Sequence, residues 1–181
     1  MPNYFGFQRF GKDVKENLAK AKELLFQESK IKDKKVAKML ILAYQSSFFN
    51  AWLVKRLSLE KDSFKLLNGD IFYNIDEKKY FTAKVVNEKI INDFKAQKIT
   101  PTGLLPGRDV FRAKDEALLI EQKYDDSQIY EKGYRREAIV FPKNISCKYN
   151  KDEKICSLDF ILPKGSYATV LIELLLNKNL S

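Results

Sequence analysis

Helical periodicity is the strongest pattern near the start of the chain. One apolar series recurs at spacings of four, three and four residues and therefore lies on one helical face: Val14, Leu18, Ala21 and Leu25. Asp13 precedes this series and is suited to cap the helix. A second apolar stripe, which no glycine or proline interrupts, predicts a longer helix from Lys34 to Leu57. Residues 27–35 between the two helices are polar and charged, as in a crossing between subdomains.

The central part of the chain is predicted to alternate between short elements: strands at residues 71–73 and 80–86, and helices at residues 87–96 and 114–124. Two pairs of breakers predict a loop over residues 100–107, because proline and glycine interrupt regular structure: Pro101 and Gly103, then Pro106 and Gly107. From Gly133 a turn is expected to lead into another strand.

Strict alternation predicts a strand near the C-terminus, where every second residue is apolar: Cys156, Leu158, Phe160 and Leu162. Pro163 and Gly165 are expected to end this strand. Ser166 is placed to cap a final helix, whose apolar run extends from Val170 to Leu176.

Length and composition fit one ordinary domain, or a domain with a modest insertion. The chain has 181 residues, of which 45% are hydrophobic and 31% are charged, so a real core is expected and disorder is not. No segment approaches the roughly 20 apolar residues that span a bilayer. The first residues lack the basic start and apolar run of a signal peptide. We therefore expect a soluble, cytoplasmic protein without a membrane partner.

The residue inventory excludes several chemistries. Histidine is absent, which excludes His-based triads, His general bases and His-ligated metals. The two cysteines, Cys147 and Cys156, can build neither a disulfide framework nor a Cys-rich zinc site, and we expect no metal. Phosphate-loop and dinucleotide-binding glycine motifs are also absent. Two acidic pairs lie in polar, turn-like stretches and are assigned to a solvated surface: Asp125-Asp126 and Asp152-Glu153.

Positive charge is concentrated in the first third of the chain. The net charge is +9, and residues 1–60 carry 12 Lys/Arg against 6 Asp/Glu. Concentrated positive charge favours a polyanion, because each neutralised phosphate releases counterions. A lysine-rich surface that binds only water fits the same numbers.

A cluster of polar and aromatic residues at the N-terminus is suited to bind a nucleotide. The Asn3 amide offers a donor and an acceptor for the edge of a uracil, and Phe5 offers a face for a splayed base. Arg9 is suited to phosphate, or to a buried carboxylate. The alternative is that Arg9 is a surface residue and that the neighbouring aromatic residues pack in the core: Tyr4, Phe5, Phe7 and Phe10.

The stretch from Pro2 to Gly11, P-N-Y-F-G-F-Q-R-F-G, closely resembles a motif of the TruD family of tRNA pseudouridine synthases. Further stretches resemble family motifs in the same order: A-Y-Q-S-S-F-F-N at residues 43–50, P-T-G-L-L-P-G at 101–107, Gly133 with Arg135-Arg136, and F-I-L-P-K-G-S-Y-A-T at 160–169. Two departures are small. Leu104-Leu105 replaces a Pro-Leu pair, and Ile172 precedes Glu173 where an arginine is usual.

The resemblance implies an enzyme that isomerises uridine to pseudouridine at position 13 of tRNA, without a cofactor. It implies an α/β (α+β) fold in which part of a split pseudouridine synthase catalytic domain, residues 1–30 and 143–181, surrounds an inserted TRUD-type domain at residues 31–142. It also implies substrate-binding roles for five residues: Asn3, Phe5, Gln8, Arg9 and Tyr167. The partner would be tRNA, bound through the basic first third by shape and phosphate contacts.

The family's catalytic aspartate lies in a G-x-K-D motif upstream of N-Y-F-G, and no G-x-K-D occurs in these 181 residues. We therefore assign no catalytic residue, and we expect the C-terminal portion of a longer enzyme, inactive without its N-terminal part. Gly107-Arg108-Asp109 is similar to an aspartate-bearing element of other pseudouridine synthases but lacks its spacer residue. The competing hypothesis is a free-standing basic module that binds RNA without chemistry.

Overall fold

Five helices and six strands form the protein in the computed structural model, which describes residues 1–26 and 31–178. The helices are α1 (Val14–Leu25), α2 (Lys34–Leu57), α3 (Glu88–Lys95), α4 (Asp115–Glu121) and α5 (Ala168–Leu176). The strands are β1 (Ile71–Asn74), β2 (Lys79–Thr82), β3 (Ile99–Leu105), β4 (Tyr134–Glu137), β5 (Lys143–Asn150) and β6 (Ile155–Ile161). Single 3-10 turns lie at Phe7–Arg9 and Gln122–Tyr124. The mixture confirms the predicted α+β class.

The long helix predicted from the uninterrupted apolar stripe is confirmed as α2, which packs against α1 and β3. Asp33 caps it, because its side chain accepts hydrogen bonds from the backbone N–H groups of Lys35 and Val36. The predicted helix α1 is confirmed and packs on α2. Asp13 stands at the N-cap position of α1, but its side chain makes no capping hydrogen bond, so that detail was wrong. The predicted crossing at residues 27–35 lies partly outside the described residues.

Four strands form an antiparallel sheet in the order β2-β1-β3-β4. Every residue of β3 is buried, so the predicted loop at residues 100–107 was wrong. Pro101 is compatible with strand β3 because it lies where the neighbouring strand β4 ends. Its carbonyl accepts a hydrogen bond from the N–H of Ala138 at 2.7 Å. Gly103 fits because α2 approaches the strand closely: a Cβ there would lie 2.4 Å from the ring of Trp52. Pro101 and Gly103 are therefore both compatible with a central strand.

The remaining elements are a separate two-stranded sheet and the last helix. Strands β5 and β6 make an antiparallel hairpin, and α5 follows it. The alternating segment at residues 156–162 was correctly predicted as a strand, but β5 was missed, although Ile145, Cys147 and Tyr149 alternate there with polar residues. The predicted Ser166 cap was wrong, since α5 begins after Tyr167 and has no side-chain cap.

The other central predictions differ from the structure mainly in their ends. Residues 79–82 form β2, which is shorter than the strand predicted over residues 80–86. The helix predicted over residues 87–96 is confirmed as α3, with Asn87 as its cap. The helix predicted over residues 114–124 is confirmed as α4 followed by a 3-10 turn. Within residues 1–26 and 31–178, no helix is both long and apolar enough to cross a membrane.

Two buried ion pairs fix the helices to the sheet. Arg56 of α2 donates to both carboxylate oxygens of Asp70 at 2.7 and 2.8 Å, and Asp70 also accepts from the N–H of Leu67 at 2.8 Å. Arg135 of β4 pairs with Glu121 at the end of α4 at 2.7 Å. All four charged side chains are at most 2% exposed. Such paired charges stabilise the fold only while both partners are present.

Asp70→Asn is predicted to destabilise the protein strongly. The new amide places N–H donors against those of Arg56 and Leu67 and leaves the buried guanidinium uncompensated. We expect the free energy of unfolding, measured with urea, to fall by about 3–5 kcal/mol. Asp125→Asn is the matched control, because Asp125 pairs with Arg112 at a more exposed site, with side chains 23% and 39% exposed, where a loss below about 1 kcal/mol is expected. Equal losses in the two variants would contradict the prediction.

Candidate functional site

One arginine of β4 connects the two ends of the chain. Arg136 donates through Nε to the backbone oxygen of Asn3 at 2.9 Å and through Nη2 to the side-chain oxygen of Asn3 at 2.8 Å. The same Nη2 donates to the backbone oxygen of Gly165, in the turn before α5, at 3.0 Å. Arg136 lies opposite Gly103 in the β3–β4 register. The sheet therefore sets the position of a guanidinium that binds residues near both termini.

Asn3 is held on all sides by this arrangement and is only 2% exposed. Its backbone N–H donates to the oxygen of Ala138 at 2.8 Å, and its side-chain Nδ2 donates to the oxygen of Glu137 at 3.0 Å. Because Arg136 engages Oδ1, both ends of the amide already have partners within the chain. Asn3 thus shapes the loop around it, and its contact with a uracil edge remains a prediction.

Phe5 lies under Arg136, with the guanidinium carbon 3.9 Å from the ring centroid. The side-chain amide of Asn50, on α2, clamps its backbone: Oδ1 accepts from the N–H of Phe5 at 2.9 Å and Nδ2 donates to its oxygen at 3.0 Å. The edges of Phe49 and Tyr167 contact the ring, with centroids 5.7 and 6.1 Å away. The ring is therefore fixed in position and lies against a cation.

Gln8 and Arg9 are placed on either side of the same loop. The side-chain oxygen of Gln8 accepts a hydrogen bond from the hydroxyl of Thr169, at the start of α5, at 3.2 Å. Arg9 donates through Nε to the hydroxyl of Ser46 on α2 at 3.0 Å, and its Cζ lies 5.2 Å from the Phe5 ring centroid. All five predicted residues are thus brought together, although they come from both ends of the chain.

Burial of the Arg136 guanidinium lowers its pKa to about 10. The acceptors around it are all neutral, and no carboxylate within the described part of the chain lies at ion-pair distance from it. At neutral pH the group still carries its charge. The site consequently presents a positive charge that the surrounding protein does not neutralise.

Two cavities adjoin this arrangement. The larger, about 540 Å³, reaches Asn3 and the turn that contains Ser166, whose buried hydroxyl has no hydrogen-bond partner. The smaller, about 450 Å³, is lined by Phe5 and Arg9 on one side and by β4 on the other. Asn3 and Phe5, two residues apart, therefore face different spaces.

Other candidate chemistry is not assembled near the site. Asp109 is exposed in the loop after β3 and lines neither cavity. In the described ranges, no group of three or more acidic or cysteine side chains is placed to hold a metal ion. Cys147 and Cys156 are exposed on the β5–β6 hairpin, with sulfur atoms 2.9 Å apart.

Two residues that organise the site were not predicted as site residues. Arg136 stands in the G-x-R-R element and Asn50 ends the helical motif at residues 43–50, so both positions carried a sequence signal. Neither motif indicates which of its residues points toward the N-terminal loop. Only the strand register and the helix face supply that information.

The sequence model of the family tRNA pseudouridine synthase D (TruD) matches residues 29–174. The chain belongs to this family. The matched region begins after the segment that contains Asn3, Phe5, Gln8 and Arg9, but it includes Asn50, Arg136 and Tyr167.

Curated relatives extend the match to nearly the whole chain. A tRNA pseudouridine synthase D from Nitratiruptor sp. is 39% identical over 96% of this chain and 55% of its own length. One from Sulfurimonas denitrificans is 38% identical over 96% of this chain and 56% of its own length. The chain thus spans about half the length of the curated relatives it matches.

A crystal structure described as a tRNA pseudouridine synthase D from Methanosarcina mazei shares the fold. It superposes with a TM-score of 0.67 over 98% of this chain and 61% of the other, at 20% identity. At that identity the likeness establishes the arrangement of helices and strands alone.

Arg136→Lys is predicted to loosen the site without removing its charge. A lysine has no planar fork and cannot bind Asn3 and Gly165 in the same geometry. We expect the free energy of unfolding to fall by about 1.5–3 kcal/mol, with faster hydrogen exchange at the backbone N–H of Asn3 and Phe5. Arg112→Lys, at the exposed pair with Asp125, is the control and should leave both amides protected. Unchanged exchange in Arg136→Lys would contradict the assigned role.

Proposed function

We propose that this chain is the C-terminal portion of a tRNA pseudouridine synthase that isomerises uridine 13 of tRNA, and that it is inactive alone. Family membership and the names of its relatives support the activity. The chain matches only about half of the length of those relatives, and it contains no G-x-K-D motif. Both observations support a partial chain. The expected partners are a tRNA and the missing N-terminal part of the same enzyme, in the cytoplasm.

The observation that carries this proposal is the convergence of the two chain ends on one aromatic ring. Phe5 comes from the N-terminal loop and Tyr167 from the turn before α5, and Arg136 joins both segments. In this proposal a flipped uridine stacks on the Phe5 region, and the unstacking energy of a few kcal/mol is offset by such contacts. An aspartate from the missing part would attack this uridine.

Exposed apolar residues on the β5–β6 hairpin and on α5 support a divided catalytic domain. In this proposal one part of that domain is formed by residues 1–30 and 143–181, and the rest is formed by further chain. The hairpin β5–β6 and α5 expose several large apolar side chains, between 46% and 61% of their surface: Ile145, Tyr149, Ile155, Ile161, Leu174, Leu175 and Leu176. Tyr149 and Ile155 lie on opposite faces of the hairpin, because Tyr149 pairs with Cys156 and Ile155 pairs with Asn150. A two-stranded hairpin with exposed apolar residues needs further structure packed against it. We assign that further structure to the rest of the catalytic domain, with residues 31–142 as the inserted domain.

The chain alone is predicted to form no pseudouridine on unmodified tRNA. Adding the part of the Nitratiruptor relative that this chain does not match, expressed separately, should restore turnover, because the proposal places the G-x-K-D aspartate in that part. Pseudouridine at position 13 is measured by chemical labelling and primer extension. Turnover by the chain alone would contradict the proposal and direct attention to Asp109 or another aspartate.

Phe5→Leu is predicted to reduce the activity of the reconstituted enzyme. Leucine keeps the core filled but removes the aromatic face, and base stacking on such a face is worth about 1–3 kcal/mol. We expect kcat/KM to fall about 5- to 150-fold. Phe7→Leu is the matched control, because Phe7 is 40% exposed two residues further along, and it should retain activity within about twofold. Equal activity in the two variants would remove Phe5 from the base site.

A second candidate function, RNA binding without chemistry, is favoured by the net charge of +9. It predicts tight, salt-sensitive tRNA binding by the isolated chain, together with no turnover after the missing part is added. Restored turnover would exclude it.

A further inference from the structure

Arg9 is oriented by the protein but not neutralised by it. Its Nε donates to the hydroxyl of Ser46, which in turn donates to the backbone oxygen of Leu42 on α2 at 2.7 Å. The two terminal nitrogens make no hydrogen bond or ion pair with any residue in the described ranges, and neither is buried. A guanidinium held at one edge with its fork open is suited to two oxygens of one anion.

Further cations line the same cavity of about 450 Å³. Lys38 is exposed one helical turn before Leu42 and, within the described part of the chain, its ammonium has no hydrogen-bond or ion-pair partner. Arg136 lines the cavity from β4. Arg135 lines it too, but Glu121 already neutralises that side chain. The one acidic residue in the lining is Glu137, so an excess of positive charge remains.

Two of these charges are close enough to repel each other. The Cζ atoms of Arg9 and Arg136 lie 5.2 and 3.9 Å from the same ring centroid, so they are at most about 9 Å apart. Arg9 is accordingly one of the groups that lower the Arg136 pKa, although burial is the main cause. An anion placed between the two guanidinium groups would relieve this repulsion.

An exposed aromatic ring completes the lining. Tyr134, at the start of β4, is 46% exposed. Cations along a groove combined with aromatic faces are the arrangement that binds a single nucleic acid strand. A free inorganic anion would have no use for the ring.

We propose that the cleft formed by Arg9, Lys38, Arg136 and Tyr134 binds a backbone phosphate of the RNA next to the base held at Phe5. Arg9 supplies a bidentate contact, Lys38 supplies a point charge and Tyr134 supplies a face for the neighbouring nucleoside. This inference rests on the proposed function and names the part of the RNA that these residues contact.

The test is tRNA binding by the full 181-residue chain as a function of KCl concentration. Lys38→Gln should weaken binding several-fold and reduce the slope of log K against log[KCl] by about 0.7–0.9, the value for one lost phosphate contact. Lys89→Gln is the matched control, because it removes one exposed charge from α3, outside the cleft, and its slope should equal that of the unmodified chain. Urea unfolding of both variants should be unchanged.

Arg9→Lys separates geometry from charge. It keeps the salt slope but removes the bidentate contact, so binding should weaken several-fold. Equal slopes for Lys38→Gln and Lys89→Gln, or no binding of tRNA by the unmodified chain, would overturn the cleft. Turnover by the reconstituted enzyme tests the proposed function separately. Turnover combined with equal salt slopes for the two variants would overturn the phosphate-binding cleft but not the proposed function. A Lys38-dependent slope without turnover supports the cleft and overturns the synthase assignment.

Discussion

The contact of Arg136 with Asn3 and Gly165 is the interaction on which the candidate site depends. One guanidinium binds the N-terminal loop and the turn before α5, which are more than 150 residues apart in sequence, and it covers the ring of Phe5. Hydrogen bonds from a charged donor are stronger than neutral ones, which offsets part of the cost of partial burial. Removing the group would leave several carbonyl oxygens without a partner. The two segments would then be joined only by weaker contacts, among them the Thr169–Gln8 hydrogen bond and the edge contact of Phe5 with Tyr167.

The sheet makes this contact possible by placing consecutive arginines on opposite faces of β4. Arg135 points to Glu121 and is neutralised within the core, whereas Arg136 points to the loop and meets only neutral acceptors. The alternation of a strand thus separates the arginine that is paired in the core from the arginine that organises the candidate site. The position of β4 depends in turn on β3, where Gly103 lets Trp52 of α2 pack against the strand backbone.

Sequence patterns predicted elements best where periodicity and continuity agreed. Helices α1 and α2 followed from apolar spacing, and β6 followed from strict alternation. Strand β3 was missed because Pro101 and Gly103 are usually signals of a loop, and here tertiary contacts make both suitable for a buried strand. The motif resemblance identified residues that do converge, but it could not show that both ends of the Asn3 amide are already bonded, because those partners lie 133 and 134 residues away.

The distribution of charge along the sequence likewise differs from the distribution of charge in the folded protein. The excess of Lys and Arg in residues 1–60 includes Arg56, which a buried carboxylate neutralises, and Arg9, whose fork remains open. Arg136, from a segment with almost no net charge, contributes to the same cleft as Arg9 and Lys38. Affinity for a polyanion depends on cations that lack carboxylate partners and face one space, not on the net charge of a segment. The buried ion pairs therefore reduce the number of free cations at the surface, because the fold uses the charges of Arg56 and Arg135 internally.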